Sequence, residues 1–489
     1  MSELPKGWVE APLVDVTDIL DAIRKPVSNK ERMTRIADKA VTDLYPYYGA
    51  TGQAGTIDDY LFDEELVALG EDGVPFFDGK KHKAYMLYGK TWVNNHAHVL
   101  RGTGGYLVNK YLCEYLNQFD YMGYVNGGTR LKLTQANMKR IPIPLAPLAE
   151  QKRIVEKLDE VLAQVDTIKA RLDGIPALLK RFRQSVLASA VSGKLTEEWR
   201  KDNSSEFPDV NTISQELFDD GTTKGNFGNK SARAEAIKDD ELQKYKSIYP
   251  LIRVGEVSGC IVPNRDKPKT FSGDTPWILT PYLNDQSIEL RSEQIELGLS
   301  SSEIELYNAR VIPSDSVIMT CVGRLGLSAV NEFKCIINQQ LHAFTCGKHI
   351  YSRYLAFSIR AMENYFCSAA TSTTVQYLNK TACNSMPLPL PSIEEQKEIV
   401  RLVDQYFAFA DTIEAQVKKA QARVDNLTQS ILAKAFRGEL VPQDPNDEPA
   451  DKLLERIAQA RKEAEALAKA AKKAQSTKST AKKKVAKSV

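Results

Sequence analysis

A duplication constrains this chain more than any other feature of its sequence. Residues 141–195 align without a gap onto residues 386–440, at an offset of 245. Identical pairs include Pro142/Pro387, Pro144/Pro389, Glu150/Glu395, Gln151/Gln396, Lys152/Lys397, Ile154/Ile399, Asp166/Asp411, Gln184/Gln429 and Gly193/Gly438. Each copy opens on Pro-x-Pro, which is extended and cannot be helical. A helix follows. In the first copy Ile154, Leu158, Val161, Val165, Ile168 and Leu172 recur at spacings of 4, 3, 4, 3 and 4. In the second, Ile399, Val403, Tyr406, Ala410, Ile413 and Val417 keep the same phase. That is a heptad stripe, the seam of a coiled coil. About three heptads are marginal for an isolated helix, so the two stripes are expected to bury each other. Gly174-Ile175-Pro176 predicts a break in the first helix, because glycine ends helices and proline opens them. Lys419-Ala420-Gln421 lets the second run on. Both copies stop at a glycine, Gly193 or Gly438.

The helical copies separate two unlike regions rich in short β-type runs, aromatics and Gly/Asn turns. The expected division is a domain at 1–145, a helical region at 146–200, a polar linker at 201–249, a second domain at 250–390, a second helical region at 391–440 and a tail at 441–489. Residues 8–16 and 251–257 read as opening strands, and 232–246 as a helical stretch within the linker. The fold class is α+β: two globular mixed α/β domains and two long helical regions.

Charge does not announce the function. Ten basic residues against two acidic ones follow position 460; the chain's +2 less this +8 leaves −6 for residues 1–460. Any nucleic-acid contact in the body would therefore have to come from local patches. The tail reads as a solvated, partly helical Ala/Lys segment, with attraction to DNA phosphates as the alternative. The seven cysteines include no CxxC pair, and six lie after residue 250; they read as reduced, mostly buried thiols of a cytoplasmic protein. No run of about 18 apolar residues exists, so no membrane association is expected.

Several clusters have the chemistry to read DNA. In the first domain these are Tyr47, Tyr48 and Thr51 in a turn-rich aromatic loop, Lys80 and Lys81 in a basic cluster, Asn94, Asn95, His96 and His98 followed by Arg101, and Thr129, Arg130 and Lys132 in a glycine-rich loop. In the second they are Arg265, Lys267 and Lys269, then Arg324 between glycines, then Asn338, Gln339 and Gln340, then Thr373, Thr374 and Gln376. Asn and Gln pair with adenine in the major groove, and Arg or Lys with guanine or phosphate. For each cluster alone a structural role is an equal alternative. His96 and His98 alternate on a strand and so face opposite sides. The 127–131 and 371–376 loops share the 245 offset and both precede a Pro-x-Pro segment.

Catalytic signatures are missing from the sequence. There is no Asn/Asp-Pro-Pro-aromatic segment to hold a target amine, no GxxxxGK[ST] phosphate loop, no HExxH and no Cys/His ligand spacing. Gly102-Thr103-Gly104-Gly105 lacks the rest of a dinucleotide fingerprint. Asp315 with Glu332-Phe333-Lys334 imitates a Mg²⁺-binding nuclease motif, but 312–319 reads better as a turn entering a strand. No catalytic and no metal-binding residue is assigned.

The sequence resembles the specificity subunits of type I restriction-modification enzymes, in their enterobacterial K-12-type (type IA) branch. The carrying residues are Pro147-Leu148-Ala149-Glu150-Gln151-Lys152, Lys180-Arg181-Phe182-Arg183-Gln184, Ser192-Gly193-Lys194-Leu195 and Trp199-Arg200. In the first domain Tyr47–Gly52, Gly70-Glu71-Asp72-Gly73 and Trp92–Leu100 resemble a recurrent recognition module; the second domain matches more weakly. The resemblance spans most of 1–440, without the linker and tail. It implies two target-recognition domains reading a bipartite site on double-stranded DNA. It implies helical repeats paired as an antiparallel coiled coil with approximate two-fold symmetry, docking two modification (methyltransferase) subunits. Those partners would use S-adenosylmethionine on adenine, and restriction (translocase-nuclease) subunits would add ATP- and Mg²⁺-dependent cleavage; this chain would need no cofactor. About 24 helical residues span roughly 36 Å, close to one DNA turn. The alternatives are a coiled-coil scaffold with protein-binding β-rich domains and a standalone DNA-modifying enzyme.

Overall fold

The computed structural model describes residues 4–203, 206–229, 231–264, 267–370, 376–463 and 466. The chain divides into two compact units, residues 1–173 with 418–489, and residues 174–417. Both boundaries fall inside long helices, Leu148–Ser192 and Ile393–Ala435.

In the first unit, strand Val9–Pro12 pairs antiparallel with the Pro-x-Pro strand Pro142–Leu145. An antiparallel sheet follows in the order Thr17–Ile19, Ala97–Gly102, Leu66–Gly70, Ala84–Leu87. A second sheet runs Gly52–Ile57, Tyr45–Gly49, Lys90–Val93, Phe62–Asp63, with its central pair parallel. Helix Asn109–Gln118 buries Tyr111, Leu112 and Leu116 in the core. The same core takes Ile154, Leu158 and Val165 from one long helix and Ile431, Leu432, Ala435 and Phe436 from the other. Lys169 pairs with Asp425 at 3.1 Å, while Asp173 accepts from Gln421 at 2.7 Å. One number rises as the other falls, so the helices run antiparallel there.

The second unit repeats this plan. Leu251–Arg253 pairs with Pro387–Pro389, and the main sheet runs Ser258–Ile261, Leu341–Cys346, Ser316–Thr320, Ser328–Asn331, Glu289–Leu290. The smaller sheet runs Gly298–Leu299, Thr275–Ile278, Ile336–Ile337, again with one parallel pair. Val186, Leu187 and Ala190 meet Ile399, Val400 and Val403 in its core. Arg183 binds Asp411 at 2.6 Å and Glu414 at 3.2 Å.

The duplicated residues explain why Pro-x-Pro is followed by a helix in both units. Gln151 is fully buried; it accepts from the Val108 amide at 2.9 Å and donates to the carbonyl of Ala146 at 2.9 Å. Gln396 repeats this with the Tyr351 amide at 2.8 Å and the Pro391 carbonyl at 3.0 Å. Tyr111 and Tyr354 donate to the carbonyls of Pro144 and Pro389 at 2.6 and 2.7 Å. These side chains give partners to backbone amides and carbonyls in and beside the Pro-x-Pro segment.

Five expectations change. The first long helix does not break at Gly174-Ile175-Pro176; it is continuous with Pro176 inside it. The loss of one N–H, worth ~3 kcal/mol in a free helix, is offset by burial upstream at Leu158 and Val165 and downstream at Leu179 and Val186. The seam is also not uniform: Val161, Leu172 and Ile413 are half-buried, while Ile168 and Tyr406 are 46% and 40% exposed. Ala410 and Val417 are buried. The opening strands are shorter than expected, because Leu13–Val16 and Val254–Val257 form single helical turns after Val9–Pro12 and Leu251–Arg253. Residues 201–249 are not a free linker: helix Val210–Asp219 buries Ile213 and Leu217 in the second unit's core, and the expected helix near 232–246 is confined to Asp239–Tyr245. The segment after Gly438 does the same in the first unit, where a helix at 450–463 buries Ala450, Leu453 and Ile457. Most of the basic tail lies outside the described residues; its first cation, Arg461, donates to the Thr17 carbonyl at 2.5 Å.

Candidate nucleic-acid interface

The same four backbone bonds stitch loops together at one end of the main sheet in each unit. In the first, Glu71 N–H donates to His96 O at 2.8 Å, Leu133 to Glu71 at 2.7 Å, Gly73 to Leu131 at 3.0 Å and Asn94 to Tyr48 at 3.1 Å. In the second, Cys321 donates to Gln340 at 2.9 Å, Leu378 to Cys321 at 3.0 Å, Gly323 to Gln376 at 3.0 Å and Asn338 to Ile278 at 3.1 Å. An Asx turn recurs as well: Asn94 Oδ1 accepts from His96 N–H at 2.8 Å, and Asn338 Oδ1 from Gln340 N–H at 3.0 Å. Asn94–His96 and Asn338–Gln340 therefore occupy equivalent positions, although their side chains differ.

Charge covers the first cluster. Asp72 takes Arg130 at 2.8 Å and His96 Nδ1 at 3.0 Å; Glu71 takes Arg24 at 3.0 Å and Lys132 at 3.2 Å. Burial opposes the ionisation of Asp72, but the bonds from Arg130 and His96 outweigh it and hold the carboxyl below its usual range. Arg130 is 66% exposed and Lys132 51%, so both present N–H groups beyond their carboxylates. Exposed ion pairs of this kind contribute about 0–1 kcal/mol, so an incoming phosphate or base edge can take the cation over. Thr51, Asn95 and Thr129 are exposed, and Tyr48 is half-buried, stacked on Tyr85 at 5.5 Å.

Other expected residues lie elsewhere. Tyr47 is core, its hydroxyl donating to Val27 O at 3.2 Å. His98 is buried between the Asp21 carboxylate at 2.7 Å and the Leu133 carbonyl at 3.0 Å. With a partner on each ring nitrogen, His98 is a structural residue that ties its strand to neighbouring loops. Arg101 sits at the far end of its strand, paired with Asp18 at 3.1 Å and Glu64 at 3.0 Å. Lys80 is held by Asp425 at 2.9 Å, and Lys81 is exposed beside it.

In the second unit Gln340 is exposed and accepts from Thr280 at 3.1 Å, while Gln339 donates to the Asn264 carbonyl at 3.0 Å. Gln376, Lys267 and Lys269 are exposed. Arg324 is bound to Asp285, which draws that carboxyl down. Arg265, Thr373 and Thr374 lie outside the described residues. Asp315 occupies the turn into Ser316–Thr320 at φ 60°, with its carboxylate on the Ser352 hydroxyl, which fits a turn and not a metal-holding nuclease centre. Sequence reasoning missed Arg24, whose guanidinium reaches Glu71 and, at 2.6 Å, the Ala97 carbonyl. The basic run Arg24-Lys25, Lys30, Arg32, Arg35 was its available signal. Arg32 and Arg35 cover the Tyr47 and Trp92 rings at 5.3 and 5.0 Å, fastening helix Asn29–Ile36 to the smaller sheet.

Comparison with known proteins matches this plan to one family. Residues 5–177 and 247–421 match the type I restriction modification DNA specificity domain. The type I restriction enzyme EcoKI specificity subunit of Escherichia coli K12 is 31% identical over 500 residues, covering 94% of this chain and 96% of that protein. The Escherichia coli EcoBI specificity subunit is 33% identical over 380 residues, 70% of each chain. Among solved structures, a chain from a study of complex assembly and conformational transition of the type I R-M system aligns with TM-score 0.60 at 16% identity, covering 90% of this chain and all of that one. The HsdS subunit from Thermoanaerobacter tengcongensis aligns with TM-score 0.50 at 17% identity, covering 90% and 98%. At those identities the structural likeness speaks for the fold, including two mixed α/β domains with paired long helices. The sequence matches carry the function: the chain belongs to the type I restriction-modification specificity family, as a DNA-specificity subunit that is not itself a catalyst.

Proposed function

We propose that each unit reads one half of a bipartite double-stranded DNA target through its stitched loop cluster. The observation that carries this is the recurrence of the same four loop bonds and the same Asx turn around different side chains. A common frame with dissimilar residues is what two readers of different half-sites require. In the first unit Asn95, His96, Arg130, Lys132 and Thr51 are the contacting residues; in the second they are Gln340, Gln376, Lys267 and Lys269. Arg130 and Lys132 suit guanine or phosphate, and the amides suit adenine.

Two modification subunits, using S-adenosylmethionine to methylate adenine, and restriction subunits using ATP and Mg²⁺ complete the proposed assembly in the cytoplasm. Adenine methylation needs a flipped base, which the modification partner would hold. No described helix is long and apolar enough to cross a membrane. The test is DNA affinity of the assembled complex after alanine replacement of Asn95, His96 and Arg130 together. Specific binding falls at least about tenfold, since each good base contact discriminates by about 1–3 kcal/mol. Unchanged specific affinity in a normally assembled complex would sink the assignment.

A further inference from the structure

The second unit contains a buried Cys-His-Cys cluster that the recognition reading does not use. Cys260 Sγ, His342 and Cys383 Sγ place their ligand atoms within 4.8 Å of one another, and all three residues are buried. They come from strand Ser258–Ile261, strand Leu341–Cys346 and helix Lys380–Asn384. Strand register explains the convergence. Cys260 lies opposite Phe344, and His342, two residues away, shares that face of the sheet. Met319 lies opposite His342, and the next position on its face is Cys321. The short helix then brings Cys383 onto this face, with its sulfur 3.3 Å from His342 Nδ1.

The first unit shows what this position normally requires. There the corresponding histidine, His98 opposite Leu69, is held by a carboxylate and a carbonyl. Buried imidazoles need strong partners. The second unit supplies His342 Nδ1 with a thiol sulfur, a weak hydrogen-bond acceptor but a strong soft-metal ligand.

We propose that Cys260, His342 and Cys383 bind a structural zinc ion. Both thiols lose their protons to solvent, each sulfur and His342 Nδ1 donates a lone pair to the ion, and no redox change occurs. Cys321, on the same face of the sheet, is a candidate for the fourth position of a tetrahedral site. The ion fastens helix Lys380–Asn384 to the sheet beside Tyr377, whose ring lies 6.4 Å from that of His342. It thereby anchors the stretch that joins Gln376 to Gly323 in the recognition cluster.

The full-length chain, purified without chelator and dialysed, is assayed for metal by mass spectrometry. About one zinc per chain is expected. Exchange for Co²⁺ gives the visible bands of a tetrahedral site and a thiolate-to-cobalt charge-transfer band. Cys260→Ser and Cys383→Ser each reduce the retained metal to near zero. Because the Co²⁺ spectrum is taken on the unaltered chain, it stands even if a variant fails to fold. The proposal is overturned by an unaltered chain that holds no zinc and gives no cobalt bands. Metal retained in the double serine variant, or a Cys260–Cys383 disulfide found after alkylation without reductant, overturns it equally.

Discussion

Glu150 and Glu395 are the same residue of the duplication, yet the two units surround them differently, and this gives opposite expectations for the same substitution. Glu395 is fully buried and accepts from Tyr249 at 2.6 Å, from Thr196 at 2.7 Å and from the Arg200 guanidinium. Arg200 also donates to the Gly193 carbonyl, so this network closes the end of the first long helix. Glu395→Gln can keep an oxygen on all three donors, which share Oε1 while Oε2 has no partner, but it leaves a guanidinium of 14% exposure without its counter-charge. Breaking a buried pair costs about 3–5 kcal/mol, and the residual exposure of Arg200 reduces this to about 2–4. Glu150 is equally buried, but its donor, Trp8 at 3.0 Å, is neutral. Burial pushes its carboxyl up, only partly offset by Trp8 and Arg153. The folded chain therefore holds that proton to higher pH than the unfolded chain. Stability falls as pH rises from the ordinary carboxylate range through the raised value, and that loss is the cost of ionising the buried group. Glu150→Gln removes it. In thermal melts at pH 8, Glu395→Gln should lower the second unit's transition by roughly 5–12 °C, while Glu150→Gln leaves the first unit's unchanged or higher. The advantage of Glu150→Gln over wild type should shrink toward pH 4. Equal destabilisation by both variants would refute the reasoning.

Leu158→Ala, at a fully buried seam position, should cost about 2–5 kcal/mol in denaturant titration, whereas Ile168→Ala, 46% exposed, should cost under about 1 kcal/mol. Equal costs would contradict the uneven seam. Gly174→Ala has open space around its new Cβ inside a helix and should stabilise by about 0.5–1 kcal/mol. Gly193→Ala, at φ +85° where the added Cβ would run into the Ile248 side chain, should destabilise by at least about 1 kcal/mol in the same titration. Arg130→Ala should weaken DNA binding by the complex; if its contact is a phosphate, the slope of log affinity against log salt falls by about 1.

The long helices were legible because a heptad stripe is periodic over many residues and the duplication doubles the signal. The break at Pro176 was misread because a local rule yielded to burial on both sides. The helix at 210–219 and the core packing of the one at 450–463 were missed for a related reason: Ile213 and Leu217, or Leu453 and Ile457, show a single helical interval each, too little to stand out in polar sequence. Equivalence of Asn94–His96 with Asn338–Gln340 was hidden, since beyond the one shared asparagine it resides in backbone bonds. The Cys260–His342–Cys383 cluster had no sequence spacing to betray it; strand pairing alone brings residues so far apart in sequence together. His98 resembled a reader until its two acceptors were visible.

The most direct test of the account is long-read methylation sequencing of DNA modified by the chain with its modification subunits, alongside the chain alone. The account predicts methylated adenine only with the partners, in a motif of two separated halves. Replacing residues 94–96 together with Arg130 should change or relax one half, and replacing residues 338–340 the other. Methylation or cleavage by the chain alone, or changes in both halves from either replacement, would contradict it.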